Sequence, residues 1–378
     1  MSHLAAHPRL IGFFCLTLLL AFAAAAVAND SPVPDSTAPF THPGLLTSTK
    51  EVDFIRARLK AGQSPWTEAW KSLLQERQAF LYHVPRPHPV YDSEPHWSKP
   101  GCVRDLLEDG RAIYGNTLIY LFTNDERHAK KAEQIIDDWA DVKIPTTAQT
   151  LFTTYSWPQV IWSAELLRAY DLSWSEAQQQ RFTRLLRNQV VPIAWIEPHW
   201  HNNWYSWSIC CRLCCAIYLD DKARFDEAVN VYHEQLPRYI HPNGISIETE
   251  RDLWHTQMGM APLVLCGEMA WHQGIDLYSL NDNRLFKGIE THIPFIEGDK
   301  TNWPAELTYN LGANADNGTW WDMYELAWNQ YHNRMGLAAA NIGRVVMRRR
   351  PEPFWRMGWG TLMHDEPSGL WHSDSTIH

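Results

Sequence analysis

The sequence predicts an all-α chain arranged as an incomplete α/α toroid, a ring of helical hairpins with no C-terminal β-domain. Three observations carry this expectation. Helix-period apolar spacing recurs through nearly all of the chain after residue 44, the breaks between helical stretches are short, and period-two alternation of the strand kind is hard to find. The tail beyond Pro351 is too short for a β-sandwich. No exact repeat is visible, so the ring is inferred from the number of hairpins and not from periodic motifs.

Taken in order, residues 1–28 read as a signal peptide, with a weakly basic start, the apolar run "LIGFFCLTLLLAFAAAA" and a small-residue cleavage signal ending at Ala28. That run is short for a membrane span, and no second stretch of about 20 apolar residues follows. A periplasmic or secreted protein without stable membrane insertion is therefore expected. Residues 29–44, "NDSPVPDSTAPFTHPG", are rich in Pro, Ser and Thr and read as an extended leader, and residues 45–378 as a single toroid domain. The first helix falls in "TSTKEVDFIRARLKAG", where Ser48 and Thr49 can cap and Val52, Ile55, Ala57 and Leu59 supply apolar positions. Further helices are predicted at "RDLLEDGRAIYGNTLIYLFT", "DERHAKKAEQIIDDWADV", "PQVIWSAELLRAYDL", "SEAQQQRFTRLLRNQVV", "NWYSWSICCRLCCAIYLD", "DKARFDEAVNVYHEQLPRYI", "LWHTQMGMAPLVLCGEMAWHQ" and "WWDMYELAWNQYHNRMGL". Breaks such as "TNDE" and "LDDK" join neighbours into hairpins.

Composition narrows the function. The chain carries 20 Trp, 14 Tyr and 13 Phe, more indole than a core needs. Trp suits half-wet surfaces, where one face stacks and the N–H finds a partner, and a carbohydrate cleft is such a surface. A formal net charge of −10 argues against nucleic acid as a partner, yet a local basic cluster can still take a polyanion. Cys102, Cys210, Cys211, Cys214, Cys215 and Cys266 follow the signal segment. Cys210 and Cys214, like Cys211 and Cys215, are four apart on a predicted helix, a spacing that suits packing more readily than bridging, so small buried hydrophobes are expected. No paired CxxC spacing points to zinc.

Three segments hold groups with catalytic potential beside indoles at helix entries: "HNNWYSW" at residues 201–207, "NGISIETERDLWHTQMG" at 243–259 and "NADNGTWWDMYELAWNQYHNRMG" at 314–336. In the second, Arg251 and His255 would share a face if the helix has already begun at Arg251. A guanidinium suits bidentate recognition of a carboxylate, and an imidazole exchanges a proton near neutral pH. The same residues could instead serve a surface ion-pair network with Glu248 and Asp252. His199 and His201 form an HxH pair but lack a third ligand, so no metal and no other cofactor is expected. Asn202 and Asn203 either cap the helix that follows or offer an amide to a substrate carboxylate, with Trp204 or Trp207 flooring a sugar subsite.

The chain resembles the alginate lyase-like superfamily of polysaccharide lyases, those with an α/α toroid, and within it family 38 more than family 5. The resemblance rests on "HPGLLTSTKEVDFIRARLKAGQSPWTEAWKSL", "LEDGRAIYGNTLIYLFTNDERHAKKAEQIIDDWA", the asparagine–tryptophan pair in "HNNWYSW", "ETERDLWHTQMG", "MAWHQGIDLYSLNDNRLFKGIE" and "MYELAWNQYHNRMGL". It implies an exported lyase that cleaves an acidic polysaccharide, alginate or glucuronan, by β-elimination at a uronic acid. The resemblance makes Asn203 the carboxylate neutraliser, His255 the base, Arg251 a carboxylate ligand or a support for His255, and Tyr324 the acid, or the base for the other C5 epimer, with Tyr331 and Tyr309 as rivals. Asn202, Trp204, Trp207, Trp254, Gln257, Trp320 and Tyr331 are the expected substrate contacts. Where family 5 carries Asn-Asn-His, this chain has Asn202, Asn203 and Trp204, so a catalytic histidine cannot come from that motif. Two alternatives use the same residues. A glycoside hydrolase on this kind of ring would need two opposed carboxylates drawn from Glu248, Glu250, Asp316 and Asp322, and a non-catalytic binder of acidic polysaccharide would need only the Trp-rich cleft.

Overall fold

Helix caps fix where the chain turns. In a computed structural model, residues 39–93, 101–311, 320–352 and 359–365 are described, all within one unit, Pro34–Ile377. The expected signal peptide, and the leader up to residue 38, lie outside the described residues. The first half of the chain holds α1 (Thr49–Lys60), α2 (Trp66–Gln75), α3 (Arg77–Leu81), α4 (Cys102–Thr123), α5 (Glu126–Trp139), α6 (Thr150–Ser156), α7 (Pro158–Tyr170), α8 (Glu176–Leu185) and α9 (Val191–Ala194). The second holds α10 (Asn203–Tyr218), α11 (Lys222–Tyr239), α12 (Leu253–His272), α13 (Leu280–Ile296), α14 (Met323–Trp328), α15 (Ala340–Arg349) and α16 (Gly360–His364). Two π-helical turns, Leu186–Val190 and Asn329–Arg334, extend α8 into α9 and prolong α14. The first ends two residues before Pro192, whose ring an unbroken α-ladder would press against the carbonyl four residues back. Among the described residues the only β-pairing is two isolated bridges, Val90 with Lys143 and Ile240 with Ser246.

Ser48 caps α1 as expected, in a capping box with Glu51, and Ser175 does the same for α8 with Gln178. Asp125, Asn202, Asp221 and Asp252 cap α5, α10, α11 and α12. Neighbours then pack as hairpins. Helix α4 lies against α5 and α7, α10 against α6, α11 and α12, and α12 against α13 and α14. Helix α16 packs on α1 and α2, so the last described helix returns to the first. Trp66 Nε1 donates to the Asp365 carbonyl at 3.1 Å across that seam. The arrangement is the α/α toroid that the hairpin pattern predicts.

The aromatic surplus goes elsewhere than expected. Trp139, Trp157, Trp162, Trp174, Trp207, Trp321 and Trp359 are fully buried, so much of the indole content fills the core instead of lining a cleft. The six described cysteines are buried and free, as their spacing predicts. Trp162 Nε1 donates to Cys214 Sγ at 3.2 Å. "CCRLCC" is thus the buried back of α10, with the Arg212 guanidinium donating to the Ala194 carbonyl at 2.8 Å.

Candidate active site

The amino ends of α10 and α12 meet at one turn, residues 246–251. Hydrogen bonds within the turn shape it: Ser246 N donates to Thr249 Oγ1 at 3.1 Å and Glu248 N to Ser246 Oγ at 3.2 Å. His292 from α13 holds Thr249 Oγ1 at 2.8 Å, and Asn310 Nδ2 holds the Arg251 carbonyl at 2.7 Å. The turn therefore stands fixed beneath the residues it carries. Asp252 follows as the cap of α12, so Arg251 lies before the helix begins and does not share a helical face with His255 as the spacing suggested.

His255 sits in the first turn of α12, half-buried. Its Nδ1 lies 2.7 Å from Asp252 Oδ2, while its backbone N–H donates to Asp252 Oδ1 at 2.6 Å. The proton thus resides on Nδ1, and Nε2, which meets no partner among the described residues, keeps its lone pair. Burial alone would raise the Asp252 carboxyl, but the bonds from His255 more than offset it and hold it below its usual value. Arg251 keeps half of its side chain in solvent and reaches Glu248 Oε1 at 3.4 Å. The ion pairs of the simple surface-network reading are both present, and they orient an imidazole and a guanidinium that remain accessible.

Glu248 is the buried centre of the turn. It accepts from Asn203 N at 3.0 Å, Asn203 Nδ2 at 2.8 Å and Tyr239 Oη at 3.0 Å, in addition to Arg251. Burial pushes its carboxyl up, although these donors and the nearby His255 and Arg251 pull it down. Asn203 is itself buried, with its amide nitrogen already committed to Glu248. Asn202 caps α10 by accepting from Trp204 N at 3.1 Å, the simpler of its two expected roles.

Several expected contacts are not surface groups. Tyr324 is buried and its hydroxyl is committed to Gln257 Oε1 at 2.8 Å, the arrangement of a core tyrosine. Gln257 is buried with it and also accepts from Trp321 N at 3.2 Å. Tyr331 is fully buried between Tyr278 and Phe286. Tyr309 is half-buried and donates to the Phe295 carbonyl at 2.8 Å. Trp207 is buried in an aromatic run with Tyr155, at 5.1 Å between ring centroids, and Trp321, at 6.4 Å. The run continues to Trp254, 5.3 Å from Trp321. Only Trp204, Trp254 and Trp320 of the expected indoles are partly exposed.

Among the described residues the exposed indole is Trp200, whose ring stands edge-on to Trp204 at 5.6 Å and is 58% exposed. Its only sequence signal is its place in "HWHNNW". Tyr239 has no such signal either, since it lies nine residues before Glu248 at the far end of α11.

His201 is spent on Gln235 at 3.3 Å and on Arg238 at 3.3 Å. Among the described residues one group, Glu51, Glu268 and His272, gathers metal-ligating atoms. The Arg334 guanidinium already supplies the positive charge there, 3.0 Å from both carboxylates. The hydrolase alternative gains no opposed pair: Glu248 and Asp322 are buried, Glu250 is exposed and Asp316 lies outside the described residues.

A family model described as alginate lyase matches residues 57–303, more than half of the chain. Among solved structures, a tyrosine-to-phenylalanine variant of alginate lyase A1-III complexed with tetrasaccharide is similar with a TM-score of 0.69 and 18% identity, covering 89% of this chain and 100% of that one. Alginate lyase A1-III from Sphingomonas species A1 gives a TM-score of 0.67 at 18% identity, over 89% and 99% of the two chains. An alginate lyase from Bacteroides ovatus gives 0.64 at 16% identity, over 86% and 100%. Comparison with curated protein sequences gives no match.

Proposed function

We propose, from the premise that this chain belongs to the alginate lyase family and is a polysaccharide lyase, that it is an exported enzyme cleaving a polyuronate, alginate or glucuronan, with His255 as its acid and base. The observation that carries this reading is the Asp252–His255 pair, which leaves Nε2 without a partner among the described residues, on the same turn-to-helix segment as the accessible Arg251. In this mechanism Arg251 binds the C6 carboxylate of the uronate. Its charge stabilises the enolate-like density that develops there, and one such donor is worth about 3 kcal/mol in comparable oxyanion sites.

Nε2 of His255 takes the C5 proton. The electron pair forms the C4–C5 double bond, the C4–O4 bond breaks, and the imidazolium returns its proton to O4. One residue doing both transfers requires the C5 hydrogen and O4 on the same side of the ring, the arrangement in mannuronate and glucuronate. Asn203, tied to Glu248, takes a supporting place, and none of the three tyrosines has a free hydroxyl to act as the acid. The exported location rests on residues 1–28, and the amino-terminal sequence of the secreted protein tests it.

The activity test is the ultraviolet absorbance of the unsaturated uronate, followed on mannuronan, glucuronan, guluronan and hyaluronan. A rise with mannuronan or glucuronan that His255→Ala lowers by about 100-fold or more supports the reading. Reducing ends that appear without the chromophore would mean hydrolysis. Turnover confined to guluronan would mean that a second residue supplies the acid.

A further inference from the structure

We propose that Glu248 is a positioning residue for this elimination: its carboxylate orients the Asn203 amide and tethers Arg251, so that Asn203 offers the sugar an acceptor while the substrate carboxylate goes to Arg251. The proposal rests on the lyase reading above. It changes the role of Asn203, which the resemblance makes a donor to the carboxylate.

Glu248 gathers donors from three elements onto two oxygens. Oε1 takes Asn203 Nδ2 at 2.8 Å and Arg251 Nη1 at 3.4 Å, and Oε2 takes Asn203 N at 3.0 Å and Tyr239 Oη at 3.0 Å. Asn203 opens α10, Tyr239 closes α11, and Arg251 leads into α12. An ionised carboxylate only accepts hydrogen bonds, so it is the nitrogen end of the amide that must face it. The other end is then left over. Asn203 Oδ1 is buried, in a residue 1% exposed, and meets no donor among the described residues.

Buried acceptors are ordinarily paired, and this one stands in the same residue that opens the helix beside His255 and Arg251. A carboxylate has no proton to give it. The free C2 and C3 hydroxyls of a 1,4-linked uronate ring do, and O-acetylation removes such a donor. Glu248 thereby connects charge recognition at Arg251 with hydroxyl recognition at Asn203.

The test uses the full-length chain and its best polyuronate in unacetylated and O-acetylated form, comparing wild type, Glu248→Gln, Asn203→Ala and the double variant, with thermal melts for each. Wild type should prefer the unacetylated polymer at least tenfold in kcat/KM, and Asn203→Ala should abolish that preference. Glu248→Gln should lower kcat at least tenfold and also flatten the preference, because its amide can no longer fix Asn203. The double variant should be no slower than the slower single one, as for two groups acting as a unit. A wild type inert on every polyuronate overturns the lyase reading, and this proposal with it. An active wild type with either an undiminished preference in Asn203→Ala or multiplicative losses in the double variant overturns the role of Glu248 alone. The preference of Asn203→Ala decides between these outcomes even if Glu248→Gln fails to fold.

Discussion

Asp252 does two jobs with one carboxylate, capping α12 through Oδ1 and fixing the imidazole of His255 through Oδ2. Replacing it by Asn keeps a cap but no longer favours the imidazolium formed during proton transfer. Asp252→Asn should therefore lower turnover by about 10- to 100-fold, the scale of lost orienting partners, with little change in KM in steady-state assays. Tyr324→Phe should behave oppositely. It removes one buried hydrogen bond to Gln257, so stability should fall by about 1 kcal/mol while turnover stays near normal, a pair of outcomes that melts and rates separate. Trp200 is exposed and carries no core packing. Trp200→Ala should leave the melting temperature unchanged and raise KM for long polyuronates, since a stacking face for sugar rings is lost.

At the level of elements, α12 shows how close packing serves the site. A Cβ at Gly259 would lie 1.9 Å from Tyr239 Oη, so the bare backbone there lets Tyr239 pass beneath α12 to Glu248. Gly259→Ala should cost at least about 1–3 kcal/mol and, by displacing Tyr239, reduce activity in the variant that still folds. Farther along, His272 of α12 meets Glu51 of α1 at 3.0 Å and Glu268 at 3.5 Å, with Arg334 beside both carboxylates and the Leu45 carbonyl on Nδ1. Burial opposes its charge, but Glu51 and Glu268 prevail and raise the imidazole to about 9. A pKa higher in the folded than in the unfolded chain gives stability that is complete below the ordinary histidine range and is lost as pH rises through about 9. Melting temperature should fall between neutral and alkaline pH, and His272→Gln should flatten that slope. Long helices with strong caps were legible from sequence, α1, α10 and α12 among them. Helix α13 was not, because Asn281, Asp282 and Asn283 enter it in left-handed conformation and Pro294 lies within it, so local signals argue for a turn. The same limit applies to the site. "ETERDLWH" announces His255 and Arg251, but nothing local to Tyr324 says that its hydroxyl points to Gln257 in the interior.

Across the whole molecule, the ring depends on its first described residues. Glu165, buried on α7, accepts from Gly44 N at 3.2 Å, Leu45 N at 2.8 Å and His42 Nδ1 at 2.8 Å, while His42 Nε2 reaches Asp220 at 2.9 Å. The end of the leader is thus pinned to α7 and to the turn between α10 and α11. A chain beginning after Leu46 would leave the Glu165 carboxylate buried without these partners and should lose about 3 kcal/mol or more, seen as a lower midpoint in denaturant titration. Helix α10, against which α6, α7, α9, α11 and α12 all pack, carries four of the buried thiols. Burial pushes those of Cys210 and Cys214 well above their ordinary range, and that of Cys102 to about 12. Alkylating reagents attack the thiolate, so in the folded protein these three thiols offer them almost nothing to modify at neutral pH. Iodoacetamide should label these cysteines only as the helices part. Each modified sulfur then dates one excursion to an open state, and the labelling rate becomes a clock for the breathing of the ring.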